Sequence, residues 1–394
     1  MKKYENYKDS GLEWLGMVPE HWEILPFKRG VSINNGRDYK HVQSEDGYPV
    51  IGSGGQFAFA SDYLYDGEVI LLGRKGTIDK PRYFNGKFWT VDTMFYAIPN
   101  QKCIAKYMYY QALTIPFSLY STDTALPSMT QTDLGNHLMC FPPTFEQRAI
   151  ASYLDHKVGQ IDALISGKEK MVEDLKAYRS SLITETVTKG LNKDVKMKDS
   201  GVEWIGKMPQ NWKLLKLKRI VNLKSGTSLT SDRILDEGKY QVFGGNGPRG
   251  YIDDYTNEGN FVLIGRQGAL CGNINYANCK FWATEHAIIC YPLKEIDTIW
   301  LGETLRAMNL NQYSISAAQP GLAVERINEL LIPTPSISEQ KEISSYLKLK
   351  ITQIESAISE QEHQLSDLKS YKSSLITEAV TGKIDLRDWQ TKKS

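Results

Sequence analysis

The chain predicts an α+β protein made by tandem duplication. Each copy is a strand-rich globular domain followed by a long helix with an apolar stripe it cannot bury alone, and the simplest coiled-coil partner for each helix is the other copy. Three observations predict this. The stretch from Pro142 to Gly190 recurs from Pro335 to Lys383, pairing Glu146 with Glu339, Tyr153 with Tyr346 and Ser180 with Ser373, always 193 residues apart. The opening KDSGLEWLGMVPEHW at Lys8 returns as KDSGVEWIGKMPQNW at Lys198, at an offset of 190. Between them, short apolar runs bounded by Gly, Asn and Asp, such as Gly67–Gly73 and Asn260–Gly265, carry the pattern of strands closed by tight turns.

The repeat is continuous. Tyr48–Gly52 meets Tyr240–Gly244, and the LLGRKG run ending at Gly76 meets LIGRQG ending at Gly268, both 192 apart. Phe88-Trp89 meets Phe281-Trp282 at 193, so three small loop insertions in the second copy account for the drift. Ala105–Leu113 and Trp300–Asn309 have helical patterning. The boundaries are then residues 1–145 for the first globular domain, 146–190 for a central helix, 191–338 for the second domain and 339–394 for a C-terminal helix and tail.

Both helices carry a seam at alternating spacings of four and three. In the first it runs through Leu154, Val158, Ile161, Ile165, Lys168, Val172, Leu175, Arg179 and Leu182. In the second it runs through Leu347, Ile351, Ile354, Ile358, Gln361, Leu365, Leu368, Lys372 and Leu375. The apolar members are the expected coiled-coil interface. The polar breaks fall at matching places, and read either as register-fixing contacts or as solvated ends of an imperfect seam. Thr144-x-x-Gln147 and Ser336-x-x-Glu339 are candidate capping boxes, and Gly190 and Gly382 are stop signals. About 40 residues at roughly 1.5 Å each make a rod on the order of 60 Å long.

A chain of 394 residues implies two or three domains, and 41% hydrophobic with 24% charged residues is a globular composition. The sequence has no apolar run near the ~18 residues of a membrane span, and its Met-Lys-Lys start leads into polar residues, not a secretion signal. Cys103, Cys140, Cys271, Cys279 and Cys290 form no CxxC pair; they read as reduced thiols of a cytoplasmic protein, with no metal site. A net charge of +1 does not advertise a nucleic-acid partner, which would have to be met by a local basic face.

The two globular copies share a framework and differ in their loops. Gly36–Asp46 has no likeness to Gly226–Gly238, nor Ser53–Ser61 to Gly245–Asp253, nor Thr77–Gly86 to Ala269–Asn278. Two binding domains of different specificity would look like this, and so would neutral drift of surface loops.

In order and twice over, the KDSGxEWxGxxPxxW openings, the GRxG turns at Gly73 and Gly265, the EQ(R/K)xIxxYL starts at Glu146 and Glu339, and the SSLITExVT endings at Ser180 and Ser373 make a specific pattern. Across essentially its whole length the chain resembles the specificity (S) subunit of Type I restriction-modification systems. The resemblance implies that the globular parts are target recognition domains, each reading one half of a split double-stranded DNA sequence. The helices would pack as an antiparallel coiled coil with pseudo-twofold symmetry, a spacer that sets the gap and docks two methyltransferase (M) subunits, with restriction (R) subunits joining for phage defence. It implies no cofactor on this chain: S-adenosylmethionine, ATP and Mg would be bound by the partners, which methylate adenine N6 and cut DNA.

Within that reading, Gly-flanked polar residues are the candidates for DNA contact, because glycine permits close backbone approach and Arg, Lys, Asn and Gln match base edges or phosphates. In the first domain these are Arg37, Arg74, Lys75, Thr77, Lys80, Arg82 and the turn from Ser128 to Gln131. In the second they are Asn246, Arg249, Arg266, Gln267, Gln319 and Arg326. Arg74 and Arg266 are shared, which suits phosphate or scaffold duty. Lys75 against Gln267, and Arg37 against Thr227, differ and suit readout. The pairs Phe88-Trp89 and Phe281-Trp282 read as core, and His286 reads as a satisfied core histidine.

No catalytic motif appears. Phe141-Pro-Pro-Thr144 lacks the polar residue and aromatic of a methyltransferase motif, the Gly-rich runs at Gly52 and Gly244 do not open a βα unit as a cofactor-binding GxGxxG does, and no Walker A, HExxH or EF-hand run is present. The chain reads as a non-catalytic subunit. The competing readings are a coiled-coil assembly scaffold that never reads DNA, and a self-sufficient modifying enzyme, which the missing motifs disfavour.

Overall fold

A computed structural model describes residues 2–120, 127–268, 270–314 and 321–389. Gln319 lies outside them. The chain is α+β, and it divides into two compact units that cut across both long helices. Unit 1 comprises Met1–Glu169 with His363–Ser394, and unit 2 is Lys170–Glu362. The central helix spans Thr144–Lys189 and the C-terminal helix Ile337–Val380.

In unit 1 the first domain is a seven-stranded sheet in the order Val31–Asn35, Met94–Pro99, Tyr65–Gly73, Arg82–Thr90, Tyr48–Gly52, Gly55–Ala60, Gln43–Ser44. Every pairing is antiparallel except Val50 against Trp89 and Ile51 against Thr90, which run parallel. The strand Arg82–Thr90 joins the two halves of the sheet. Val69, Leu71 and Phe88 on these strands are buried, as is Tyr107 on the helix Ala105–Ala112 packed beside them.

In unit 2 the equivalent strand is broken. Ile274–Ala277 and Lys280–Ala283 flank Cys279, whose φ of 64° lies in the left-handed region, and the sheet becomes two of four strands. One is ordered Val221–Ser225, Ala287–Pro292, Phe261–Gly265, Ile274–Ala277; the other Gly247–Ile252, Tyr240–Gly244, Lys280–Ala283, Asn257–Glu258. Cys279 O still accepts from the Gly259 N–H at 2.8 Å, so the interruption of the ladder is local.

The repeated framework residues meet each other within each unit. In unit 1, Glu146 at the start of the central helix is 1% exposed and accepts hydrogen bonds from Tyr4 Oη (2.9 Å) and Trp22 Nε1 (3.0 Å), with His21 Nε2 at 2.6 Å. In unit 2, Glu339 accepts from Trp212 Nε1 at 3.1 Å. The neighbouring glutamines are equally matched. Gln147 accepts from the Ile104 N–H and donates to Pro142 O, and Gln340 accepts from the Asp297 N–H and donates to Pro335 O. These bonds explain the repeated Trp and Glu-Gln. They also correct one expectation. Ser336 and Glu339 form a reciprocal capping box, but Gln147 is committed elsewhere, so Thr144-x-x-Gln147 does not.

Each domain also seats the far end of the other long helix. Gly382 packs on Pro19 and Trp22 in unit 1, and Gly190 on Trp212 in unit 2, both at positive φ where a Cβ would strike the rings. In unit 1, Gln111 Nε2 donates to Val380 O at 3.1 Å, satisfying a carbonyl at the helix end.

The helices pair antiparallel. In unit 1, Asp162 meets Lys372 (2.6 Å), Lys168 meets Gln364 and Glu169 meets Lys369 (3.1 Å). In unit 2, Lys176 meets Glu362 (3.0 Å) and Arg179 meets Glu355 (3.2 Å). Lys168, Arg179 and Lys372 therefore act across the seam rather than as solvated ends. Val158, Ile161, Ile165, Val172, Ile354, Ile358 and Leu365 are buried, and Leu175, Leu182, Ile351 and Leu368 are half-buried. Near the domains the seam hands over. Leu347 packs with Ile183, Val187 and Ile343 in the core of the second domain, and Leu154, Leu375, Ile376 and Val380 are also fully enclosed.

Candidate nucleic-acid interface

The GRxG turns form equivalent edges. In domain 1, strand Tyr65–Gly73 runs into the turn, where Gly73 packs so closely on Thr77 O that a Cβ would lie 2.2 Å from it, and Gly76 takes φ +82°. Arg74 and Lys75 donate their N–H groups to Thr93 O (2.8 and 3.2 Å). The same turn bridges to the segment after residue 126: Lys75 pairs with Ser128, Met129 N–H donates to Arg74 O, and Gly76 N–H to Pro127 O. In domain 2, Arg266 N–H donates to His286 O (2.8 Å), Gln267 pairs with Gly321, and Leu322 N–H donates to Arg266 O. Thr93 and His286 are themselves 193 apart, so one backbone frame carries different side chains.

A second strand end joins this edge. Arg37 N–H donates to Thr90 O, and Arg37 O accepts from Trp89 Nε1 (3.0 Å); Thr227 is held the same way by Ala283 and by Trp282 Nε1 (3.2 Å). Trp89 and Trp282 are buried, with Phe88 and Phe281 beneath, so the aromatic pairs are core residues that fix the loop after Gly36 or Gly226. Arg37 itself is exposed.

The predicted residues are only partly gathered. In domain 2, Asn246, Arg249 and Gln267 line one cleft of 390 Å³ with Gly245, Pro248, Leu270 and His286. In domain 1, Arg74, Lys75, Thr77 and Ser128 share the turn, where Arg74 donates to Asp92 O (3.3 Å) and lies 5.8 Å from the Phe95 ring. That is a scaffold posture. Lys80 and Arg82 line a different cleft, of 600 Å³, with Gln56, Lys106 and Tyr109. Gln131 begins a short helix after Thr130 and donates to Ile33 O (2.9 Å). Arg326 stands on the helix Val324–Asn328, 6.0 Å from the Tyr313 ring.

His286 corrects an expectation: it is not a core residue. Its side chain is 42% exposed, it lines the cleft, and its Nδ1 lies 3.1 Å from Gln267 Oε1. Its position opposite Thr93 in the repeat was the available signal. A true core histidine is His137 in unit 1. It is 4% exposed, takes Tyr120 Oη at Nδ1 (2.7 Å) and stacks on Trp14, and burial pulls its pKa down to about 4. At the base of domain 2, hydrogen bonds from Lys216 and Lys218 pull Glu329 down to about 2. Among the described residues, no group of three or more His, Cys, Asp and Glu could hold a metal ion, and no helix is long and apolar enough to cross a membrane.

The chain is thus a duplicated α+β protein in which one backbone frame carries two different loop edges. The family described as the Type I restriction modification DNA specificity domain matches residues 21–174 and again 209–363. The chain belongs to this family. It is 42% identical over 135 residues to the Type I restriction enzyme EcoprrI specificity subunit of Escherichia coli, an alignment spanning 33% of this chain and 34% of that one. It is 23% identical to the MjaVIII specificity subunit of Methanocaldococcus jannaschii over 98% of this chain and 97% of that one. A solved structure concerned with complex assembly and conformational transition of the type I R-M system contains a chain of the same fold. Its TM-score is 0.71 at 16% identity, over 93% of this chain and 99% of that one.

Proposed function

We propose that the chain supplies sequence choice to a Type I restriction-modification complex in the cytoplasm. Each globular domain reads one half of a split double-stranded DNA target. The paired helices set the unread gap and dock two methyltransferase subunits, with restriction subunits completing the assembly. S-adenosylmethionine, ATP and Mg belong to those partners, which carry the adenine-N6 methylation and DNA cleavage.

The observation that carries this reading is the pair of GRxG edges. Backbone, flanking glycines and bridging segment agree, while Lys75, Thr93 and Ser128 are exchanged for Gln267, His286 and Gly321. Side chains that vary on a constant frame are what two readers of different sequence require. Arg74 and Arg266, common to both, suit phosphate contact or support of the turn.

The test is genome-wide mapping of modified adenines in cells expressing the chain with its methyltransferase partner, with and without this gene. The expected result is a split motif with an unread gap that disappears on deletion. A soluble complex of the two proteins that yields no motif would support the assembly-scaffold reading instead.

A further inference from the structure

Domain 2 places a glutamine where domain 1 places a lysine, and the two are not equivalent as readers. Lys75 is a donor in any orientation, whereas a glutamine carboxamide offers a donor turned one way and an acceptor turned the other. Only in domain 2 does a side chain stand against this carboxamide, and a proton on its facing ring nitrogen would settle the choice. His286 Nδ1 lies 3.1 Å from Gln267 Oε1, so with the ring nitrogen donating, the carbonyl oxygen is engaged and Gln267 Nε2 is left for the cleft. Glu285 Oε1, 3.5 Å from His286 Nε2, flanks the ring on its other side.

The rest of the lining has the same polarity. Asn246 Oδ1 accepts from Asn273 Nδ2 at 3.0 Å, leaving the Asn246 amide to donate, and Arg249 can only donate. A cleft lined by donors matches a base edge that presents acceptors. In the major groove that edge is the N7 and O6 of guanine, while adenine asks for a donor and an acceptor together.

We infer that domain 2 reads a guanine at this cleft, and that His286 is a positioning residue that enforces the choice by holding Gln267 as a donor. The inference rests on the reading of the domain as a DNA reader. Free to turn, Gln267 can make the paired donor and acceptor contacts to adenine. Removing His286 therefore widens the specificity from guanine to guanine or adenine. It does not weaken recognition everywhere.

The experiment maps modified adenines for the full chain with its methyltransferase partner, in five forms: unchanged, Gln267→Ala, His286→Ala, His286→Asn, and the double variant Gln267→Ala with His286→Ala. The position that becomes degenerate in Gln267→Ala is expected to be guanine in the unchanged protein. His286→Ala should lose about tenfold of the discrimination against adenine there. His286→Asn, whose own carboxamide can turn either way, should keep only part of the preference for guanine. The double variant should look like Gln267→Ala alone. Adenine at that position in the unchanged protein, or an unaltered motif in His286→Ala, would overturn the inference while leaving the DNA-reading proposal standing. A uniform fall in modification at every site, with no position degenerate, would reduce His286 to a structural role and overturn it too. If the unchanged protein marks no split motif, the functional proposal itself fails.

Discussion

The two globular domains are copies, yet they are held together differently. Domain 1 spans its sheet with one unbroken strand, Arg82–Thr90, and anchors its helix through a fully buried carboxylate, Glu146; domain 2 has a broken strand and a half-exposed anchor, Glu339. What both keep is the Trp–Glu contact, the seat for a helix end and the frame of the GRxG edge. The difference teaches that duplication preserved the joints by which domain and helices are assembled, and left free both the sheet and the residues on the edge.

The largest expected contrast is at the anchors. Glu146→Ala strands the buried Trp22 Nε1 and Tyr4 hydroxyl, and should cost about 3 kcal/mol in unit 1. Glu339→Ala should cost about half as much in unit 2, where Trp212 loses one bond and the helix loses its capping box. Hydrogen exchange of each unit in urea checks this, and equal losses would erase the contrast.

Acid should divide the units next. His137 has its pKa lowered by burial to about 4, so the unfolded chain binds the proton first, and unit 1 should lose stability as pH falls from about 6.5 toward 4. The repeat places Leu330 at the equivalent point of domain 2: Phe27 N–H donates to His137 O, and Leu217 N–H to Leu330 O. His137→Leu should therefore remove the acid sensitivity of unit 1 over that range. Persistence of the same pH slope would assign it to other groups.

Smaller effects sharpen the comparison. Cys279 holds a left-handed φ of 64° where domain 1 has Gly86, so Cys279→Gly should stabilise unit 2 by about 1 kcal/mol in thermal unfolding. Lys372→Ala, which breaks a partly exposed ion pair with Asp162, should cost only about 0.5 kcal/mol.

The helices were legible from the sequence because a seam of Leu, Ile and Val at 4-3 spacing has one geometric meaning. The glycine stops were legible for the same local reason. Tertiary partners were not. Nothing local distinguishes Gln147, taken by Ile104 and Pro142, from a capping glutamine, and Ile183 and Val187 fall off the seam because they face a domain core. The candidate site was half visible. GRxG marked the edge, but chain distance hid that Ser128 adjoins Lys75, that Arg82 belongs to another cleft, and that His286 reaches Gln267.

The most direct test of the account is to map modified adenines for Lys75→Ala and Gln267→Ala separately, each in the full chain with its methyltransferase partner. Each substitution should make bases degenerate in one half of the split motif only, and the two halves should be opposite. Changes in the same half, or an equal loss of modification at every site in both variants, would contradict it.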